Sequence, residues 1–507
     1  MNNTFITYSR NNGGRVLLLF LLFLLAVYQL THAGFSAFAV VCLIPVLILA
    51  VYYAFRWRML TFWVLIFVNY LIQMKDISES LPLPMSIPNE ILQIILLAIA
   101  IVDARETPHF EKAANLMLFA LIIWSGFCTL ELLNDTCGLG INIGSWYTGA
   151  RLMAFQLLYI FLVFSIYIST PEILQKYILI WGALSVFSVL WVWKQKNFGF
   201  TTTENIWMET RGRTTHILNA GTLIRYFSTF SDAASYGCNA ASTAAAFLIF
   251  AISTKINKLR VFFFIVSVLV IWGMFQSGTR TAIFCLGGGL MVFIVLSKSV
   301  KIAVPFSIVF AIIAFILVFT NIGNGNQQIR RMRSAFNKDD ASANVRDINQ
   351  AIMKKHIKDA PWGIGIGMSM ENVPANNKYR KLATIPPDSE YVFIWLRTGP
   401  IGITIFVITT LIMFLGACWI VMFRLKSRSL IGIGSGFCCA FVAIQLGGYA
   451  NQVLMQFPNC LIFYGGLAIV YILPYIEPAW IEFENKQLAE QAEKKRLKLE
   501  KKLASRV

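Results

Sequence analysis

The sequence predicts an all-α polytopic membrane protein, and three observations carry that prediction. Of 507 residues, 57% are hydrophobic and only 13% charged, where a soluble chain would carry about 25% charged residues. Apolar runs of spanning length recur from Val16 to Tyr475, and the charges gather between them. Too little polar surface remains to cover several water-soluble domains, so that class is excluded.

The runs come in order. Val16 to Leu30, Phe35 to Phe55, Met59 to Met74, Ile87 to Val102 and Leu116 to Leu133 are the first five. Leu152 to Ser169, Tyr177 to Trp193, Ala233 to Ser253, Val261 to Phe275, Ala282 to Leu296 and Ile302 to Thr320 follow. Tyr391 to Phe423, Leu430 to Tyr449 and Leu461 to Ile476 complete the set. This makes about fourteen transmembrane helices, twelve to fourteen given the several short runs, each needing ~20 residues to cross the hydrocarbon core. The first is read as an uncleaved span because thirteen more follow it.

Net charge is +18, from 43 Lys and Arg against 25 Asp and Glu. In a chain of this kind the first meaning is topological, not nucleic-acid binding, because cytoplasmic loops retain Lys and Arg. With the N-terminus inside, the inside segments hold Arg10 and Arg15, Arg56 and Arg58, Arg105 and Lys112, then Lys176. Lys255, Lys258 and Arg260, then Lys298 and Lys301, then Arg424, Lys426 and Arg428 continue the series. Both termini are therefore expected in the cytoplasm. Residues 1–476 read as one transmembrane domain and 477–507 as a basic helical tail near anionic lipid.

Two outside segments break the pattern. Lys194 to Arg225 contains Arg211, Arg213 and Arg225, and Asn321 to Pro387 contains Arg330, Arg331, Arg333 and Arg346. Basic residues there oppose the insertion bias, so another use is expected of them. Within the second, Val345, Ile348, Ile352 and His356 share a helical face, which suits a helix lying on the bilayer.

Most of the nine cysteines lie inside apolar runs as small hydrophobes, so no disulfide framework is expected. None of the four histidines has a partner at ligand spacing, so neither a metal site nor a cofactor is expected.

Arg280 stands in Gln276-Ser-Gly-Thr-Arg280, between two runs that almost touch. Intramembrane charges usually face a cavity or a partner. Position alone weighs this reading equally with an interfacial arginine that reaches lipid phosphate. Arg225 precedes a helix rich in small residues (Gly237, Ala240, Ala241, Ala244), which suit close helix packing, as do Gly432 and Gly436. Asp232 at that helix start can complement the macrodipole. The glycines of Pro361-Trp-Gly363-Ile-Gly365-Ile-Gly367 lack a surrounding strand–helix unit and a Walker lysine, so nucleotide binding is rejected. Asp388 precedes the helix from Tyr391, and its bland role is that helix's N-cap.

Taken together, Arg225…Phe230-Ser-Asp232, Ser277-Gly-Thr-Arg280, a long outside loop with Arg346…Pro361-Trp-Gly363, and Asp388…Gly399-Pro-Ile-Gly402 resemble the O-antigen ligase and polymerase superfamily. The resemblance covers about Arg225 to Gly402. It implies a membrane glycosyltransferase that moves a glycan from a polyprenyl (undecaprenyl) diphosphate carrier to an acceptor hydroxyl. The implied place is the periplasmic face of a bacterial inner membrane, and no metal is used. Carried over by position, Arg225 and Arg280 are catalytic and hold the diphosphate, and Asp388 is the general base where relatives carry histidine. Arg346, Arg211, Arg213 and Asp232 are expected to bind substrate. Ala233-Ala234 also departs from the Pro-Asn that often follows the family's aspartate.

The acceptor stays open between a lipid A core, a growing polysaccharide and a protein; the ligase type is preferred over the polymerase and the protein O-oligosaccharyltransferase. The rival of another class is a lipid-linked oligosaccharide flippase. Transporters tend to show repeats and midplane charges, whereas here no repeat is evident and the notable arginines sit at the outer boundary.

Overall fold

The computed structural model describes residues 13–32, 41, 45, 48–80, 84–103, 110–218, 223–298, 300–333, 341–385 and 388–504. Two compact units are distinguished, residues 1–64 and 65–507. The first holds α1 (Gly13–His32) and the run from Phe35 to Phe55, much of which lies outside the described residues.

The chain enters the second unit within α2 (Arg58–Leu71), followed by short α3 (Lys75–Ser78) and by α4 (Ser86–Asp103). Next come α5 (Leu116–Leu130), α6 (Ile143–Tyr167) and α7 (Pro171–Asn197). Short α8 (Thr202–Trp207) and α9 (Arg213–His216) lead into a hairpin of β1 (Ile217–Leu218) and β2 (Leu223–Ile224), paired antiparallel. Then follow α10 (Ala233–Ser253), α11 (Asn257–Gln276), α12 (Thr281–Leu296) and α13 (Val300–Phe319). The long loop carries α14 (Gln327–Arg333), α15 (Ala341–His356) and α16 (Arg380–Thr384). The last three helices are α17 (Glu390–Trp419), α18 (Arg428–Ala450) and α19 (Asn459–Ala504).

The protein is a multi-pass, all-helical membrane protein. Among the described residues nine helices are long and apolar enough to cross a bilayer, ten if the broken pair Ile48–Arg56 and Arg58–Leu71 is one span. Val16–His32 and Thr281–Leu296 are shorter apolar helices. The expected count of about fourteen also needs such short helices to cross.

The core is built around α10, α18 and α19, the most enclosed of the spans. Small residues explain their approach. A methyl group on Gly432 would lie 2.0 Å from Ser253 Cβ, and one on Gly436 2.4 Å from a Phe250 ring carbon. Asn239 Nδ2 donates to Asn459 Oδ1 at 2.8 Å, which fixes the register of α10 against α19.

The helix order puts two sets of loops at opposite ends of this unit. Among the described residues, one end holds 134–142, 198–218, 223–232, 277–280, 320–333, 341–385, 388–389 and 451–458. The other holds 254–256, 297–298, 425–427 and the exposed length of α19. At that second end Lys255 pairs with Glu484 at 2.9 Å, and Glu477 Oε1 accepts the amides of Lys426 and Ser427 at 2.8 and 2.6 Å. The expected boundary at 476/477 falls inside α19, which runs on as one helix and docks its next turns on the bundle.

The glycine-rich segment has a structural job at the loop-rich end. Gly399 has φ 67° and ψ −173°, which breaks α17 just before Pro400. The break deprives the Leu396 and Arg397 carbonyls of intrahelical donors, since proline has no N–H. Ile364 N and Gly365 N replace those donors at 3.1 and 3.0 Å. The segment can lie so close only without side chains. A Cβ on Gly363 would meet the Arg397 carbonyl at 2.5 Å, and one on Gly367 the Ser145 carbonyl at 2.0 Å. In the same loop, Met353 and Ile357 are buried against Ile364 and Leu396, while Ile348 and Ile352 point outward.

Candidate functional site

The centre of the loop-rich end is the tight turn between α11 and α12. Gly278 takes φ 57° there, a left-handed conformation that favours glycine. Ser277 Oγ donates back to Met274 O at 2.7 Å and accepts from Thr279 N at 3.1 Å. Thr279 Oγ1 donates to Ala233 O at 2.7 Å, which seats the turn on the start of α10.

A helix end leaves its last carbonyls without partners. Here they are met from outside the helix. Tyr226 N donates to Gln276 O at 3.3 Å, Arg225 Nε to Ser277 O at 3.2 Å, and Arg331 Nε to Gly278 O at 2.7 Å. The two basic segments that break the charge pattern therefore converge on one turn. Arg225 comes from the first and Arg331, on α14, from the second.

Arg225 is further tied by Nη1 to Thr215 O at 2.8 Å and by Nη2 to Thr279 Oγ1 at 3.1 Å. Three of its five N–H groups are thus committed to positioning among the described residues. Burial lowers its pKa, the neighbouring Asp232 carboxylate opposes that, and the charge of Arg280 adds to it. Arg280 itself stands half-buried at the start of α12, where the helix N-terminus adds positive potential. Three guanidiniums and a helix N-terminus around one turn make a site suited to an anion with several oxygens.

Asp232 is the N-cap of α10. Its Oδ1 accepts from Ala234 N at 2.7 Å and Ser235 N at 2.9 Å, and its Oδ2 accepts from Ser231 Oγ at 3.1 Å. Lys75 Nζ donates to Ser231 O at 2.7 Å and lies 3.8 Å from the Trp207 ring centroid. Burial pushes this ammonium down to about 8 despite the Asp232 charge. His216 Nε2 accepts from Ala233 N at 3.1 Å, while Nδ1 faces Gly212 O at 3.2 Å. Burial and then the Arg225 charge lower its pKa to about 4, so the imidazole is neutral and structural at pH 7.

Asp388 is not the cap of α17, contrary to the bland expectation. Ser389 is: its side chain accepts from Val392 N, and its Oγ donates to Gly448 O at 3.1 Å. One residue later the chain has already entered the helix, so Asp388 stands outside it and exposed. The next carboxylate, Glu390, is buried and accepts the amide of Leu454 at 3.0 Å.

The segment Asn451–Pro458 joins these parts. Asn451 Nδ2 donates to Thr281 Oγ1 at 3.2 Å beside Arg280. Leu454 binds Glu390 two residues from Asp388, and Gln456 accepts from Ser231 beside Asp232. Sequence reasoning missed this segment, because its residues are ordinary and its importance is purely positional. It also missed Arg331 as a site residue, although the outside cluster of Arg330, Arg331 and Arg333 was a usable signal.

The other expected residues lie further out. Arg211 pairs with Glu79 at 3.4 Å in an exposed contact, and Arg213 is exposed at the start of α9. Surface pairs of this kind are worth ~0–1 kcal/mol. Arg346 lies in α15, and its side chain is outside the described residues.

The O-antigen ligase family model matches residues 265–407 of the chain. That stretch holds the turn, Arg280, Arg331, the long loop, Asp388 and the α17 break. The match supports the O-antigen ligase and polymerase superfamily suggested by the motif order. No curated protein matches the chain.

Proposed function

We propose that this O-antigen ligase-like chain is a glycosyltransferase that moves a glycan from a polyprenyl diphosphate carrier to an acceptor hydroxyl. The observation that carries the reading is the turn at Gly278, braced by Arg225 and Arg331 and followed directly by Arg280. A diphosphate leaving group gains charge as its bond to the anomeric carbon breaks, and prepositioned guanidiniums stabilise that charge. Bracing through Nε keeps the forked end of Arg225 oriented before substrate arrives.

In this mechanism the acceptor oxygen forms a bond to the anomeric carbon while the carbon–oxygen bond to the diphosphate breaks. The carrier leaves with the bonding electrons, and Asp388 takes the hydroxyl proton. Exposure of Asp388 suits a base that must meet a bulky acceptor. Arg346, Arg211 and Arg213 would attract the acidic carrier or its glycan from the rim.

The basic residues at the opposite end of the bundle (Lys255, Lys258, Arg260, Lys298, Lys301, Arg424, Lys426 and Arg428) favour placing that end in the cytoplasm. The site would then face the periplasm of a bacterial inner membrane, with about fourteen crossings and both termini inside. The acceptor is proposed to be a lipid A core, with polysaccharide and protein as the alternatives within the same chemistry. Purified protein given a defined lipid-linked glycan and each acceptor, without nucleotide or added metal, tests the reading. Transfer to one acceptor is expected; carrier movement across a vesicle without transfer would leave the flippase instead.

A further inference from the structure

A pocket of about 330 Å³ opens beside the arginine-braced turn. Lys196, Ile224, Tyr226, Asn326, Gln327 and Gln328 line it, from the end of α7, the hairpin and the start of α14. Its size lies at the lower end of ligand pockets, which run ~300–1,000 Å³.

Its walls are the same pieces of chain that hold the turn. Tyr226 directly follows Arg225. Gln328 and Arg331 are three apart on α14 and so share one face of it. Gln276, four residues before Arg280, ties the walls together: its Oε1 accepts from Lys196 Nζ at 3.1 Å and from Gln328 Nε2 at 3.0 Å. A ligand group held by the guanidiniums therefore has this pocket as its neighbour.

The lining chemistry is specific in kind. It offers an ammonium, three carboxamides and a tyrosine, with no carboxylate among the described lining residues. Carboxamides can donate to and accept from the same ligand, as ring hydroxyls require. A second phosphate would be better served by further arginines.

We propose that this pocket is a glycan subsite, taking the sugar residue attached to the diphosphate that Arg225, Arg280 and Arg331 hold. The inference rests on the glycosyl-transfer reading for the nature of its ligand, but its test reads binding and needs no turnover. Purified full-length protein is titrated with bare polyprenyl diphosphate, then with carriers bearing one neutral hexose, one N-acetylhexosamine or one hexuronic acid. Wild type should bind at least one sugar-bearing carrier more tightly than the bare carrier. Lys196→Met and Gln328→Leu should weaken that carrier about 5- to 20-fold, the scale of one or two lost hydrogen bonds. Bare carrier should bind wild type and both variants alike.

Equal weakening of bare and sugar-bearing carriers would assign these residues to bracing the turn and overturn the subsite. So would a wild type that binds every carrier alike. Gln327→Leu, whose side chain touches neither Gln276 nor the turn in the described contacts, serves as the third variant should either of the others fail to fold. Failure of transfer with intact sugar-dependent binding would count against the proposed function and leave the subsite standing.

Discussion

Arg331 Nε donates to the Gly278 carbonyl at 2.7 Å and joins the long loop to the turn before Arg280, 53 residues away in sequence. The contact holds α14 on the bundle and completes the satisfaction of the α11 end. Arg331→Ala should therefore lower transfer at least ~10-fold at matched membrane abundance, as loss of a charged hydrogen bond implies. Unchanged transfer by this variant would reduce Arg331 to a surface attachment.

Arg280→Lys keeps a cation at the start of α12 but removes the planar fork. A diphosphate clamp should lose ~10²-fold or more in rate, whereas a lipid-phosphate anchor should tolerate the change. Initial rates at equal protein level decide between the two, and near-normal turnover favours the anchor.

Capping and base chemistry are separated at the start of α17. Ser389→Ala should cost about 0.5–2 kcal/mol in stability through the lost cap, with a near-normal rate in the fraction that folds. Asp388→Asn should leave thermal stability intact and lower the rate ~10²–10⁴-fold, and Asp388→His should recover part of it. A fully active asparagine variant would remove Asp388 from the mechanism.

Gly399 occupies a backbone region that is nearly exclusive to glycine, at a cost of order 1–3 kcal/mol for other residues. An added Cβ would also lie 2.1 Å from the Pro361 carbonyl. Gly399→Ala should thus sharply reduce the folded protein recovered from membranes. Gly325→Ala, where nothing lies within 4 Å of the new methyl group, should not. Equal recovery of the two would contradict the close approach of the loop to α17.

His216 makes a pH prediction with a definite sign. Its pKa is lowered from 6.5 to about 4 in the folded state, by burial first and Arg225 second. Between these values the unfolded chain binds the proton and the folded chain does not. Its contribution is therefore complete above pH 6.5 and is lost as pH falls toward 4. Melting temperature should drop less between pH 7 and pH 5 for His216→Gln than for wild type. Identical drops would mean that His216 is solvated.

The sequence by itself determined the class of this protein and most of its helices, because apolar length is a local property. The runs from Leu116 to Leu133 and from Ala233 to Ser253 recur as spans with the same bounds. The small residues at Gly432 and Gly436 also predicted close packing, because absence of a side chain is visible without a partner. Charge order further marked Arg225, and Arg280 stood out as a charge between two apolar runs that almost touch.

Only the tertiary structure decided what each of these residues touches. Nothing in the local pattern of Asn451–Pro458 says that it links Thr281, Glu390 and Ser231. Asp388 and Ser389 are both acceptable caps by residue type, and the backbone direction into α17 chose the serine. The glycines at 363, 365 and 367 looked like a phosphate loop without a context. Their context is the broken helix at Gly399, whose unpaired carbonyls are satisfied by the amides of Ile364 and Gly365 in the same segment. Such pairings join residues 30 to more than 200 positions apart, and a hydrogen bond between distant segments leaves no periodicity in either one.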